Sequence, residues 1–322
     1  QETISMSKKP EPEAPISEYD VAIIGGGPAG LAAAAYLRRA ALRRTVLIAE
    51  SLGGKVYYPF SLRDLPAVDH VWGGDLCAEL EQFVKDELQE IEETMVKRVV
   101  SNDGSFRIQL ENERELCART VIVTTGAQSK RTYVSGEKRL WGSGVSFSAV
   151  SHASHFEGRA VAVVGNGPRA LVAALELAAI ASRVFLIAPR VSKFAEMPAA
   201  SLVLEHPDVT VFRHWELQQI VGDDFVSAIQ LVGINGEVRQ VPVEGVFIQL
   251  ELLPNNDIVR DLVDVDESGF IKINQRCETN VEGLFAAGDN TNARAELVPV
   301  ALGEGAKAAL TAWEYLTLHK RS

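Results

Sequence analysis

Residues Asp20–Gly30 read DVAIIGGGPAG, and Thr45–Glu50 read TVLIAE. Asp20–Ile24 is a short β-branched apolar run, the kind buried on both faces of a parallel sheet. Glycines follow at 25, 27 and 30, and the Ala/Leu-rich stretch after them predicts a helix over Pro28–Leu42. A second apolar run then ends in Glu50. Strand, glycine turn, helix, strand and closing acid together make a dinucleotide fingerprint. Gly25 permits the tight turn. Gly27 leaves room for a pyrophosphate against the backbone, and Gly30 lets helix and strand pack closely. The helix N-terminus offers N–H groups and a positive dipole end to phosphates. Glu50 is placed to accept hydrogen bonds from ribose hydroxyls.

The same unit recurs. AVAVV (Ala160–Val164) predicts a strand, GNGPRA (Gly165–Ala170) a turn, Pro168–Ile180 a helix and VFLIA (Val184–Ala188) the next strand. Arg190 stands at the offset from Gly165 that Glu50 has from Gly25. An internal near-repeat of this kind implies an α/β fold with two Rossmann-like domains facing one cleft. A basic residue where an acid would hold a ribose favours NADP over NAD, with Lys193 nearby. Further strands are expected within Arg119–Gln128, Glu244–Asn256 and Val281–Thr291, the last closed by Gly288 and Asp289. An amphipathic helix is expected over Pro299–Leu318, and an acidic helix over Gly74–Glu93 whose charges read as a solvated face.

Composition sets the outer bounds. The 322 residues, 47% hydrophobic and 23% charged, suit two globular domains and exclude a disordered, collagen-like or disulfide-stapled chain. A net charge of −11 argues against nucleic acid as a partner. No apolar run reaches the roughly 18 residues a membrane helix needs. Cys77, Cys117 and Cys277 form neither a CxxC nor a zinc spacing, and their odd number fits a reducing, cytoplasmic setting. His152 and His155 lack further ligands at matching spacing, so no metal site is expected. Residues 1–16, rich in Pro, Glu and Lys, read as a disordered leader without a secretory apolar segment, with Met6 as a candidate start.

These motifs, with LGGK (Leu52–Lys55), TTGA (Thr124–Ala127), GLFAAGD (Gly283–Asp289) and GEGAKAAL (Gly303–Leu310), resemble the low-molecular-weight thioredoxin reductases, a family of FAD-dependent pyridine-nucleotide oxidoreductases. The resemblance covers Tyr19–Leu318. It implies two three-layer ββα domains: an FAD domain from residues 17–129 and 255–322, and an NAD(P)-binding-like domain, 130–254, inserted into it. Homodimers are usual in the family. Gly25, Gly27, Pro28, Ala29 and Gly30 would cradle the FAD pyrophosphate, and Glu50 the adenosine ribose. Gly54, Lys55 and Asp64 would line the ribityl and flavin region, and Gly126 of the TTGA motif would also contact FAD. Asp289, after Gly288, would reach a ribityl hydroxyl or a phosphate-side group; capping of the following helix is the alternative. Gly165, Gly167 and Arg190 would hold NAD(P)H. Tyr57 and Tyr58 are candidates to stack on the flavin ring, with core packing as the alternative.

The departures are chemical. At the positions of the family's CxxC pair stand Ser148 and Ser151, followed by His152. A serine hydroxyl forms no reversible disulfide, and thiolate chemistry is what the CxxC supplies. Thioredoxin reduction by the family mechanism is therefore not expected. His152 is a candidate for proton transfer near the flavin, with a surface or packing role as the alternative. At the end of the second strand, Ala188, Pro189 and Arg190 replace a more basic HRR. Glu251, in place of a glycine, is expected to crowd and repel a phosphate. Three readings follow: NAD(P)H to FAD to a non-dithiol acceptor such as a small redox protein, a quinone or oxygen; a flavoprotein reduced by ferredoxin or another carrier; or an FAD-bearing scaffold.

Overall fold

A computed structural model of the chain describes residues 17–40, 44–57, 59–68, 73–88, 90–188, 197–293 and 295–319. The expected leader, 1–16, lies outside them. Elements are numbered in chain order. β1 (Ser17–Ile24), α1 (Pro28–Arg39) and β2 (Thr45–Ile48) form the expected βαβ unit, with Val21 to Ile24 paired in parallel to Thr45 to Ile48. On its other edge β1 pairs in parallel with β8 (Glu115–Val123). The sheet runs β5 (Glu90–Glu92), β2, β1, β8, β7 (Ser105–Leu110), β6 (Val96–Asn102). β8 forks: its first half meets β7 antiparallel, and its second half meets β19 (Leu284–Ala286) in parallel.

Both faces of the parallel part are buried, which is why β1 reads as an unbroken apolar run. Val21, Ile23 and Leu47 pack on α1 and on α6 (Val298–Leu318). Ala22, Ile24, Val46 and Ile48 pack on Val99, Phe106 and Ile108 of the antiparallel arm. α1 and α6 lie close because each offers small residues. A Cβ on Gly305 would fall on the Ala29 carbonyl.

The second unit repeats the plan. Five parallel strands run β10 (Val145–Ser146), β17 (Gly245–Ile248), β11 (Ala160–Val164), β12 (Arg183–Ala188), β13 (Val209–Arg213). α4 (Pro168–Ala178) covers Val161 and Val163. The antiparallel sheet of β14 (Trp215–Gly222), β15 (Val226–Gly233) and β16 (Val238–Pro242) covers Ala162 and Val164 with Ile220, Ile229 and Leu231. The two units are joined by a ribbon in which β9 (Ala127–Ser129) pairs with β18 (Leu252–Pro254). A short hairpin, β3 (Phe60–Leu62) and β4 (Leu65–Val68), lies between β2 and α2 (Gly74–Glu87).

Several expectations need correction. The acidic helix ends at Glu87, not Glu93. Leu88 turns extended and is buried, and Glu90–Glu92 join the sheet as β5. α1 stops at Arg39, and α4 stops at Ala178 rather than Ile180. The single strands expected near Gln128 and Asn256 each break: β8 ends at Val123 and β17 at Ile248, and the residues beyond them form the ribbon. Among the described residues, no helix is long and apolar enough to cross a membrane.

Candidate functional site

A cavity of about 580 Å³ runs from the first fingerprint turn across to the second unit. One end is lined by Gly25–Ala29, Ser51, Gly54, Lys55 and Asp289. The other is lined by Ser146, Ser148, Ser151 and His152 from the second unit, with Phe60, Trp141 and Phe147 as aromatic walls. The two ends are thus contributed by different sheets.

The glycines divide into packing and open positions. A Cβ on Gly25, whose φ is +117°, would fall on the Thr124 carbonyl, and one on Gly30 would fall on the Gly25 carbonyl. Those two serve the turn and the helix–strand contact. A Cβ on Gly27 or Gly126 would meet no protein atom within 4 Å, and both residues line the cavity. The space such side chains would fill is left for a ligand at a helix N-terminus that no side chain caps. A Cβ on Gly54 would stand 3.0 Å from the Cα of Gly27, so the loop after β2 closes tightly over the turn. This cradle fits the diphosphate of a dinucleotide.

Lys55 Nζ lies 2.7 Å from Asp289 Oδ2 at the cavity wall, which brings residues far apart in sequence into one polar site. Asp289 caps no helix, since α6 begins only at Val298 with Leu297 as its N-cap. Gly288 presents its N–H to Glu304 Oε2 at 2.8 Å and is held at φ +88°. Glu50 stands exposed at the end of β2, beside the lining residue Ser51. Asp64 is not at the cavity. It is exposed and ion-paired with Arg159 at 2.7 Å, and the guanidinium holds its carboxyl below the usual carboxylate range. Tyr57 also turns away: it packs against the core around α1, and burial raises its phenol pKa well above the ordinary value. Tyr58 lies outside the described residues.

At the other end, Ser148 caps α3 (Ala149–His152). Its Oγ accepts the Ser151 N–H at 3.3 Å and donates to Ser151 Oγ at 2.9 Å. His152 is 7% exposed and stacks on Phe60, with ring centroids 4.2 Å apart. Its Nδ1 is 2.7 Å from Ser146 Oγ. That hydroxyl donates to the Ser148 carbonyl and accepts the Ser148 N–H, each at 3.0 Å. In the tautomer that leaves the Ser146 proton on the Ser148 carbonyl, Ser146 accepts from His152 Nδ1, and Nε2 is then a lone-pair acceptor. Nε2 is buried without a partner. Burial, then repulsion from His155, pushes the ring's pKa down to about 4, so it is neutral near pH 7. His152 is therefore neither a surface residue nor a fully satisfied packing residue.

Gly165 and Gly167 do not line this cavity. A Cβ on Gly165 would fall on the Gln249 carbonyl, whereas one on Gly167 would meet nothing within 4 Å. The second turn thus repeats the packing-and-open division of the first. Arg190, Lys193 and Pro189 lie outside the described residues. Glu251 is exposed and pairs with Lys130 at 3.2 Å across the ribbon. Cys77 and Cys277 are buried, and burial pushes both thiols up to about 11. Among the described residues, no three His, Cys, Asp or Glu side chains are grouped to hold a metal ion.

Three aromatic cavity residues carry no signal in the sequence. Trp141 and Phe147, with Arg131 stacked 4.6 Å from the Trp141 ring centroid, belong to no motif. Phe60 follows Tyr57, Tyr58 and Pro59, an aromatic run in which it is the unmarked member.

Two Rossmann-like units around a dinucleotide cradle define a flavoprotein oxidoreductase of the thioredoxin reductase type. The family model described as pyridine nucleotide-disulphide oxidoreductase matches residues 19–305, and the chain belongs to that family. Membership implies FAD and a pyridine nucleotide as cofactors. The chain is 33% identical over 304 residues to the F subunit of alkyl hydroperoxide reductase of Staphylococcus epidermidis, covering 92% of this chain and 59% of that protein. It is 35% identical over 305 residues to an NADH dehydrogenase of Bacillus subtilis, covering 92% and 58%. It therefore spans less than two thirds of these relatives' lengths. Among solved structures it is similar to thioredoxin reductase from Streptococcus pyogenes MGAS5005, with TM-score 0.83, 28% identity and coverage of 94% and 99%. Thioredoxin reductase from Giardia duodenalis is similar at TM-score 0.83 and 27% identity, with the same coverage.

Proposed function

We propose that this protein is an FAD-dependent oxidoreductase that takes electrons from NAD(P)H and passes them to an acceptor other than a dithiol. The observation that carries the second half is the pair Ser148 and Ser151, hydrogen-bonded to each other at the cavity end where the resemblance puts cysteines. Hydroxyls in that arrangement cap a helix and attack no disulfide. Residues 17–129 and 255–322 serve as the flavin domain on this reading, and residues 130–254 as the nucleotide domain.

FAD bound in the cavity would supply reversible two-electron chemistry. The chain's own part is to hold and to exclude. Gly27 and Gly126 leave room for the diphosphate, Gly25 and Gly30 shape the turn, and Glu50 takes the ribose from the rim. Lys55 and Asp289 orient the polyol region. Phe60, Trp141 and Phe147 wall off water. His152 Nε2 accepts a hydrogen bond or takes up a proton at the far end. We place NADPH ahead of NADH as donor, and a small redox protein, a quinone or oxygen as acceptor. We further propose a homodimer and a cytoplasmic location.

The test is anaerobic titration of the flavin-loaded protein with NADPH and with NADH, read as bleaching of the flavin band. Rapid bleaching, with no NADPH-driven release of thiols from a disulfide substrate, is the expected result. A second reading, reduction by ferredoxin or another one-electron carrier, is favoured by one observation: Gly165 and Gly167 stand apart from the cavity. Bleaching by reduced ferredoxin alone would select it.

A further inference from the structure

Arg169 is the second residue of α4, inside the Gly165–Ala170 turn. Its guanidinium makes a two-pronged pair with Glu296, Nε to Oε2 at 2.8 Å and Nη2 to Oε1 at 3.1 Å. Its Nη1 donates to the Leu250 carbonyl. Leu250 follows Gln249, the residue on whose carbonyl a Gly165 Cβ would fall. The guanidinium therefore lies where β11 and β17 end, beside the turn on which a nucleotide diphosphate would rest.

Glu296 belongs to the other unit. It precedes α6 and lines the first cavity. Its backbone is left-handed, with φ 46°. A non-glycine residue rarely adopts that conformation, and the surrounding structure must impose it. The carboxylate carried by this backbone meets Arg169. The two side chains keep 23% and 27% of their exposure, so neither charge can be left unpaired in place without cost.

A planar guanidinium fork beside a glycine turn at a helix N-terminus is suited to phosphate oxygens. Here a carboxylate already fills the fork. We propose that Glu296 is a built-in competitor at the second nucleotide site: Arg169 pairs either with Glu296, which ties the second sheet to the first cavity, or with the diphosphate of a pyridine nucleotide. The proposal rests on the reading that a pyridine nucleotide binds at Gly165–Gly167. Binding there would break an ion pair between the two units and so be linked to their relative placement. The freed Glu296 carboxylate would remain among the charges of Lys55 and Asp289 at the flavin cavity.

The test is calorimetric titration of ADP-ribose, a diphosphate without the nicotinamide ring, into flavin-loaded wild type, Glu296→Gln, Arg169→Gln and the double variant. Glu296→Gln should tighten binding by about fivefold or more, and Arg169→Gln should weaken it by about tenfold, the scale of a partly buried charge contact. In the Arg169→Gln background, Glu296→Gln should change nothing. If Glu296→Gln binds within about twofold of wild type, the competition is refuted while the nucleotide reading stands. If neither wild type nor Glu296→Gln binds ADP-ribose at millimolar concentration, the nucleotide reading fails and the competition with it. Should Glu296→Gln not fold, hydrogen exchange on wild type decides. Saturating ADP-ribose should speed amide exchange across 295–298, and unchanged exchange there overturns the proposal.

Discussion

His152 Nδ1 and Ser146 Oγ stand 2.7 Å apart in a buried contact that leaves the ring's other nitrogen unpaired. A charged imidazolium has no acceptor at Nε2 there. The folded-state pKa of about 4 lies below the ordinary 6.5, so the contribution to stability is present above pH 6.5 and is lost as pH falls toward 4. From pH 7.5 to pH 5 this amounts to roughly 2 kcal/mol. We expect urea unfolding of wild type to lose about that much more over this interval than His152→Asn does. Parallel losses in the two proteins would show that His152 does not titrate on unfolding.

The two kinds of glycine should separate in a pair of variants. Gly30→Ala drives a methyl into the Gly25 carbonyl. It should destabilise the apoprotein by about 1–3 kcal/mol. Gly27→Ala meets no protein atom. It should leave apoprotein stability within about 0.5 kcal/mol yet lower FAD affinity by about tenfold or more. Denaturation of the apoproteins and flavin fluorescence titration measure the two effects. Equal FAD affinity for Gly27→Ala and wild type would remove the cradle from the proposed role.

Asp289 keeps 15% of its side-chain exposure, and Lys55 keeps 43%. A half-exposed lysine pair adds at most about 1 kcal/mol to the fold. Asp289→Asn should therefore change the unfolding midpoint little, while weakening FAD retention on a desalting column by about tenfold. A lowered unfolding midpoint with FAD retention equal to wild type would contradict this assignment.

Ser148 caps α3 through the Ser151 N–H. Ser148→Ala should cost about 1 kcal/mol, read from thermal or urea unfolding. Ser148→Thr, which can keep the cap, should recover most of the loss. A Ser148→Ala protein as stable as wild type would mean that the hydrogen bond is not a working cap.

Much of the parallel framework was legible because local chemistry repeats there. Apolar runs buried on both faces, glycine turns and Ala-rich helices announce β1–α1–β2 and β11–α4–β12. Gly25 and Gly30 could be given packing roles from spacing alone. The antiparallel arms entered only as the second β layer that the resemblance implied; their strands were not read from the residues, although Asp103–Gly104 and Asn235–Gly236 mark their hairpin turns. Their strands alternate polar and apolar residues beside long charged stretches, so the parallel runs overshadowed them.

The order of residues by itself determined the two nucleotide-type turns, the absence of a CxxC and the positions of Lys55 and Asp289. Tertiary structure alone decided which of these meet. Asp64 answers to Arg159 instead of the cavity, and Tyr57 goes to the core. Arg169 and Glu296 close an ion pair across units. The physical reason is that fingerprint glycines act within a few residues of backbone. Side-chain partners depend on how two separately wound sheets come to rest against each other.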